Sequence, residues 1–211
     1  MITDLSQLDP KKKYTYQDYL TWDLKERVEL IAGKIFRMTP APSADHQSIS
    51  SQLHGLLWSY LKDKPCKIFS APLDVRFFTI DKEGNQIIED TVQPDLVVIC
   101  DMNKIDRRGC IGAPDLIVEI LSPSTSEKDL TWKYELYQRN GVKEYWVVHP
   151  EEKTLLIHTL IDGQYVPGKL LVRSEQARSN VFPDLIIDLS EVFEPFDWDK
   201  VLEEEKKYNR I

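Results

Sequence analysis

No stretch of the chain stays apolar for the roughly 18 residues that a membrane-crossing helix needs. The first residues, MITDLSQLDPKKKY, also lack the apolar segment and cleavage site of a secretory leader, so none is expected. Cysteine is scarce. Cys66, Cys100 and Cys110 are odd in number and lack metal-site spacing, which fits a cytoplasmic protein with Cys100 in its core. Positive charge is in deficit: 27 Lys and Arg stand against 35 Asp and Glu, a formal net charge of -8. That balance argues against a surface coated with nucleic acid but permits a locally positive cleft. No G-x-S-x-G turn surrounds Ser122, Ser124 or Thr125, so these read as turn and cap residues, not a hydrolase nucleophile.

What is present suits one sizeable core: 211 residues, 42% of them hydrophobic and 29% charged. YTYQDYLTWDL (14–24) reads as a short helix, and ELIAGKIFRM (29–38) as a hairpin about Ala32-Gly33. After Ser43, a suitable N-cap, Ile49, Leu53, Leu56, Leu57, Tyr60 and Leu61 recur at helical spacing. Strand candidates follow in CKIFSAPLDVRFFTI, broken at Pro72, and in DLVVIC, with the polar turn DKEGNQ between them. SPSTSEKDLTWKYELYQRNG is the clearest helix, with capping-box spacing at Ser124 and Glu127 and a stop at Gly141. KEYWVVH reads as a strand, TLLIHTL with QYVPGKLLV as a hairpin, and the acidic end from Glu191 as a surface helix.

Residues 114–125, PDLIVEILSPST, pose the functional question. Leu116 to Leu121 form an apolar run without alternation, the mark of a strand buried on both faces, except that Glu119 sits inside it. A buried carboxylate needs a cation, a metal ion or a proton. Asp115 is on the same face but about 13 Å away along an extended strand, too far to share an ion. Asp95 is the better partner. It opens the apolar run DLVVIC, and strands near in sequence often pair. Two carboxylates from neighbouring strands would suit Mg²⁺ or Mn²⁺; a salt bridge from Glu119 to a core Lys or Arg is the alternative.

Lys133, four residues after Asp129, is either an exposed helix pair or a member of the stripe Leu130, Leu136 and Tyr137 that faces the sheet. In the second case it reaches Glu119. The motif PDL occurs at Pro94, Pro114 and Pro183, and alone it is explained by strand and turn preferences. Asp115, Asp184 and Asp188 are therefore expected outside any cleft. His46 opens the long helix and Glu29 lies on the hairpin; both are further cleft candidates, with solvated or terminal roles as the plain alternative. His54, His149 and His158 share no spacing. Lys11 to Lys13, Lys104, Arg107 and Arg108 offer positive charge.

The run of VELIAGKI, PAPSADHQ, QPDLVVICD, GAPDLIVEILSPST and DLTWKYELYQRNGVKEYWVVHP resembles a bacterial restriction-endonuclease-like family within the PD-(D/E)XK nuclease superfamily. The resemblance runs from Tyr16 to Leu160 and is most specific from Pro114 to Pro150. It implies an α/β fold whose αβββαβ core is a mixed sheet flanked by helices, with extra hairpins at either end. On this basis one domain is expected, with a core of residues 43–150, a helix and hairpin over 14–38, and an extension over 151–211. The resemblance assigns Asp95 and Glu119 as metal-binding acids. The superfamily's usual lysine position is Leu121 here, and Lys133 on the next helix matches its moved counterpart. His46 or Gln47 falls near the variable first-helix position. The implied activity is Mg²⁺- or Mn²⁺-dependent cleavage of DNA by a possible homodimer in the cytoplasm. A catalytically silent binding module and a hydrolase of another phosphorylated substrate remain the alternatives.

Overall fold

A computed structural model describes residues 1–38, 41–123 and 125–194. In chain order the elements are α1 (Tyr16–Tyr19), β1 (Val28–Ile31), β2 (Lys34–Arg37), α2 (Ala44–Leu61), β3 (Lys67–Ser70), β4 (Asp74–Ile80), β5 (Gln86–Val92) and β6 (Leu96–Ile99). Then come β7 (Ile105–Asp106), β8 (Gly109–Ile111), β9 (Leu116–Ile120), α3 (Ser126–Lys128), a π-turn (Asp129–Lys133) and α4 (Tyr134–Asn140). The described chain closes with β10 (Glu144–His149), β11 (Thr154–Ile161), β12 (Gln164–Pro167), β13 (Leu171–Val172), β14 (Gln176–Arg178), β15 (Ile186–Asp188) and α5 (Leu189–Val192).

Two mixed sheets dominate. The central one runs β12-β11-β10-β9-β6-β3, with β13 beside β11. Its one parallel pair, β9 with β10, is joined by the helical run from α3 to α4, because parallel neighbours need a crossover. The second runs β2-β1-β5-β4-β8-β7. Strand alternation sorts the core. Leu96, Val98, Leu116, Val118 and Ile120 face α2 and its Leu53 and Leu57. Val97, Ile99 and Ile117 face the other way, onto Leu136 and Tyr137 of α4 and Val75 and Phe77 of the second sheet. One face of the central sheet is thus covered by a sheet as well as a helix. Glu119 belongs to that second face.

Several sequence expectations change in the structure. The helix over 14–24 shrinks to α1, because the chain turns at Trp22 to bridge Ile2, and the Trp22 ring packs edge-on to Tyr14 at 5.2 Å. Strand β5 was hidden behind the polar turn by Glu89 and Asp90. Asp90 is buried because it accepts from Ala32 N at 2.6 Å and from Arg139 at 2.7 Å. The two halves of CKIFSAPLDVRFFTI part at Pro72 into different sheets. Cys66 and Cys100, at facing ends of β3 and β6, form a disulfide, so cysteine usage no longer argues for a reducing compartment. Ser43 does cap α2, accepting from His46 N at 3.2 Å. Gly141 ends α4 at φ 82°. The Ser124 capping box and the terminal helix beyond Glu194 lie outside the described residues. No helix among the described residues is long and apolar enough to cross a membrane.

Gly109 is required by its conformation. Its φ is +128°, and a Cβ there would stand 2.2 Å from the Asp74 carbonyl oxygen of the paired strand. Gly109→Ala is expected to lower stability by at least about 1–3 kcal/mol, the cost of the backbone strain alone, measured as a lower urea midpoint. An unchanged midpoint would mean that the β4–β8 pairing is not as described.

Candidate active site

The site forms where the start of β6, the end of β9, the N-terminus of α2 and the π-turn meet, around a cavity of about 640 Å³. Asp95, Glu119, Lys133, Glu29 and His46 all line it, so the structure brings together the five residues singled out from the sequence. Asp115, Asp184 and Asp188 do not line it. Asp115 instead accepts from Cys100 N and Lys143, and Asp188 caps α5.

The pairing of β6 with β9 explains the meeting of the acids. The strands run antiparallel with Leu96 opposite Val118, so the head of one lies beside the tail of the other. Asp95 Oδ2 accepts the Ile120 amide at 2.7 Å across that junction, and His46 Nε2 lies 3.3 Å from the same oxygen. Burial alone would lower the His46 pKa, but Asp95 beside it raises it above the ordinary value.

Lys133 is buried, contrary to an ordinary exposed helix pair. Its Nζ lies 2.8 Å from Glu119 Oε1, 3.0 Å from Glu29 Oε1 and 3.4 Å from Asp129 Oδ1. The π-turn puts it there. A wider turn brings Asp129, Lys133 and Tyr137 onto one face. Leu130, expected on that face, is 42% exposed instead. The Tyr137 hydroxyl donates to Glu119 Oε1 at 2.6 Å. Lys128, unremarked in the sequence, pairs with Glu29 Oε2, and Gln93 N donates to Glu29 Oε1 at 2.9 Å. Its position four residues before Trp132 gave no hint of this.

Three carboxylates, Glu29, Glu119 and Asp129, therefore face two ammonium groups, Lys128 and Lys133. The surplus falls on Glu119. Burial first, then Asp129, Asp95 and Glu29, push its pKa up to about 8 against the pull of Lys133. Burial would also raise Glu29, but Lys133, Lys128 and the Gln93 amide hold it below the usual range. Burial works against the Lys133 charge, yet Glu119, Glu29 and Asp129 hold its pKa well above the ordinary lysine value.

A cation would relieve this surplus. Hydrogen bonds to Glu119 and Asp95 engage Oε1 and Oδ2, and both carboxylates, hard oxygen donors, belong to residues that line the same cavity. No group of three or more His, Cys, Asp or Glu suited to a metal occurs among the described residues. Mg²⁺ keeps several waters and takes one or two carboxylates, so it does not need an all-protein cage. The donor set fits such an ion.

The fold resembles that of a solved structure. The chain superimposes on a protein of Anabaena variabilis, whose crystal structure is described as "a putative nuclease belonging to DUF820", with a TM-score of 0.66 and 22% identity. The match covers 85% of this chain and 97% of that one, and it shows a shared mixed α/β fold. An uncharacterized protein of Synechocystis sp. is 29% identical over 161 residues, 74% of this chain and 80% of that protein. Residues 16–190 match the Uma2 family, described as "Putative restriction endonuclease", and the chain belongs to that family.

Proposed function

We propose that the protein is a divalent-cation-dependent endonuclease that hydrolyses phosphodiester bonds in DNA. The observation that carries this reading is the convergence of Asp95 and Glu119, from the ends of paired strands, on one open cavity with the Lys133 ammonium 2.8 Å from Glu119. In support, α2, β3, β6, β9, the α3–α4 run and β10 follow the αβββαβ order of a restriction-endonuclease-like core. On that reading Asp95 precedes the second core strand and Glu119 is on the third.

Asp95 and Glu119 would hold Mg²⁺ or Mn²⁺, which when bound supplies a Lewis acid for the scissile phosphate and lowers the pKa of the attacking water. Hydrolysis joins the water oxygen to phosphorus and releases one ester oxygen as an alcohol. Lys133, fixed by Glu29 and Asp129, faces the negative charge that grows on the phosphoryl oxygens. Tyr137 orients Glu119 through Oε1, and His46 with the Ile120 amide orients Asp95 through Oδ2. A homodimer, cutting one strand with each copy, belongs to the same proposal.

The expected result is that wild type nicks or linearises supercoiled plasmid with Mg²⁺ or Mn²⁺. Asp95→Ala with Glu119→Ala loses this by orders of magnitude and loses calorimetric Mn²⁺ binding. Equal cleavage by the two proteins would sink the assignment. One observation favours a second reading: the carboxylates around Lys133 form a closed ion cluster of the kind a purely structural core contains. A protein that shifts labelled DNA in EDTA but never cuts it would be such a binding module.

A further inference from the structure

A second cavity of about 480 Å³ adjoins the first and shares Gln47, Ala71 and Asp95 with it. One wall is the face of α2 that carries Gln47, Ser51 and His54; the other is Ser70 at the end of β3, the edge strand of the central sheet. The chain as a whole has more acids than bases, yet Asp95, at the junction, is the one acid among the residues lining this groove. The rest of its polar lining is hydroxyl, amide and imidazole. Such groups donate to phosphate and sugar oxygens and to base edges. His54 Nδ1 lies 2.7 Å from Ser70 Oγ, so helix and strand are tied across the groove.

Gly55 is the independent observation. It sits inside the 18-residue helix α2 and lines the groove. Glycine is a poor helix former, kept inside helices where another backbone packs close or a ligand approaches. No neighbour requires it: a Cβ built at Gly55 meets nothing within 4 Å. The missing side chain leaves this part of the groove's lining at backbone level.

We propose that this groove is a nucleotide subsite, seating the nucleotide next to the scissile phosphodiester on one DNA strand. This deepens the endonuclease reading and rests on it for the identity of the ligand. The strand would leave the cavity past Asp95, run over Gly55, and take hydrogen bonds from Ser51, His54 and Ser70. The groove's volume falls within the roughly 300–1,000 Å³ of small-ligand sites, which suits one nucleotide and not a duplex.

The test uses a fluorescein-labelled single-stranded oligonucleotide and anisotropy, in a Glu119→Ala background and metal-free buffer so that nothing is cut. Adding Gly55→Leu places a good helix former in open space, so the melting temperature should hold or rise. Affinity should fall about tenfold or more, the size of one lost hydrogen bond to a charged phosphate, with Gly55→Ala in between. Ser59→Leu, one turn further along the same helix and outside the residues that line the groove, should leave affinity unchanged. Equal affinity with and without Gly55→Leu overturns the subsite, as does a parent protein that fails to bind. Loss of affinity on Gly55→Leu in a protein whose wild type never cuts plasmid would support the subsite and retire the endonuclease reading alone.

Discussion

Replacing Lys133 with methionine is expected to lower stability toward urea by about 3–5 kcal/mol, the cost of leaving buried charges without their partner. The stem of methionine fills the channel of the lysine, so the effect isolates the ammonium group. Without it, Glu119, Glu29 and Asp129 lose their shared cation, and Lys128 remains only for Glu29. Two checks separate this from a packing defect. Adding Asp129→Asn should recover part of the loss, because it removes a carboxylate whose ion partner is Lys133. Mn²⁺ should raise the urea midpoint of Lys133→Met more than that of wild type, since a cation now takes over the charge. On the endonuclease reading, cleavage should fall by orders of magnitude even with saturating metal, because Lys133 would face the developing charge. If the midpoints of wild type and Lys133→Met coincide, the buried ion cluster is not what holds the π-turn against β9.

Much of this site was legible in the sequence because a carboxylate in an apolar strand is a physical contradiction that demands a partner. Glu119 announced itself that way, and Asp95 followed from the pairing of neighbouring apolar strands. Lys133 was legible only in part. Helical spacing put it on the sheet-facing stripe, but the same spacing put Leu130 there too, and Leu130 is exposed. The π-turn changes the register, and nothing in the residue pattern of DLTWK marks one. The second sheet was the larger omission. Its strand β5 carries Glu89 and Asp90, and its strands β7 and β8 are two and three residues long, so neither alternation nor length distinguished them from loop. Their burial comes from distant partners, Arg139 for Asp90 and Asp106 for Arg76, which no local pattern encodes. Lys128 was missed for the same reason: its partner Glu29 is 99 positions away.

The affinity for Mn²⁺ is expected to rise about tenfold for each pH unit from about pH 6 and to level off near pH 8, the release of one proton per ion bound. The proton belongs to Glu119. Burial, Asp129, Asp95 and Glu29 together keep it protonated up to about 8 in the cation-free protein, while an ion needs the carboxylate. The same group sets a stability trend whose sign follows from proton counting. Between its ordinary value of 4.5 and about 8, the folded protein keeps a proton on Glu119 that the unfolded chain has lost. Stability of the cation-free protein therefore falls as pH rises through that window, by roughly 1.4 kcal/mol for each unit of displacement. Glu29 acts outside it, since its lowered pKa contributes stability that is lost only on the acid side of the carboxylate range. Glu119→Gln carries no titrating proton. It should flatten the fall in melting temperature across the window and remove the pH dependence of whatever Mn²⁺ binding survives. Calorimetry in two buffers of different ionisation enthalpy counts the proton directly. A wild-type affinity that is flat between pH 6 and 8, with no proton released, would mean that Glu119 is already ionised and that Lys133 alone suffices to hold its charge in the core.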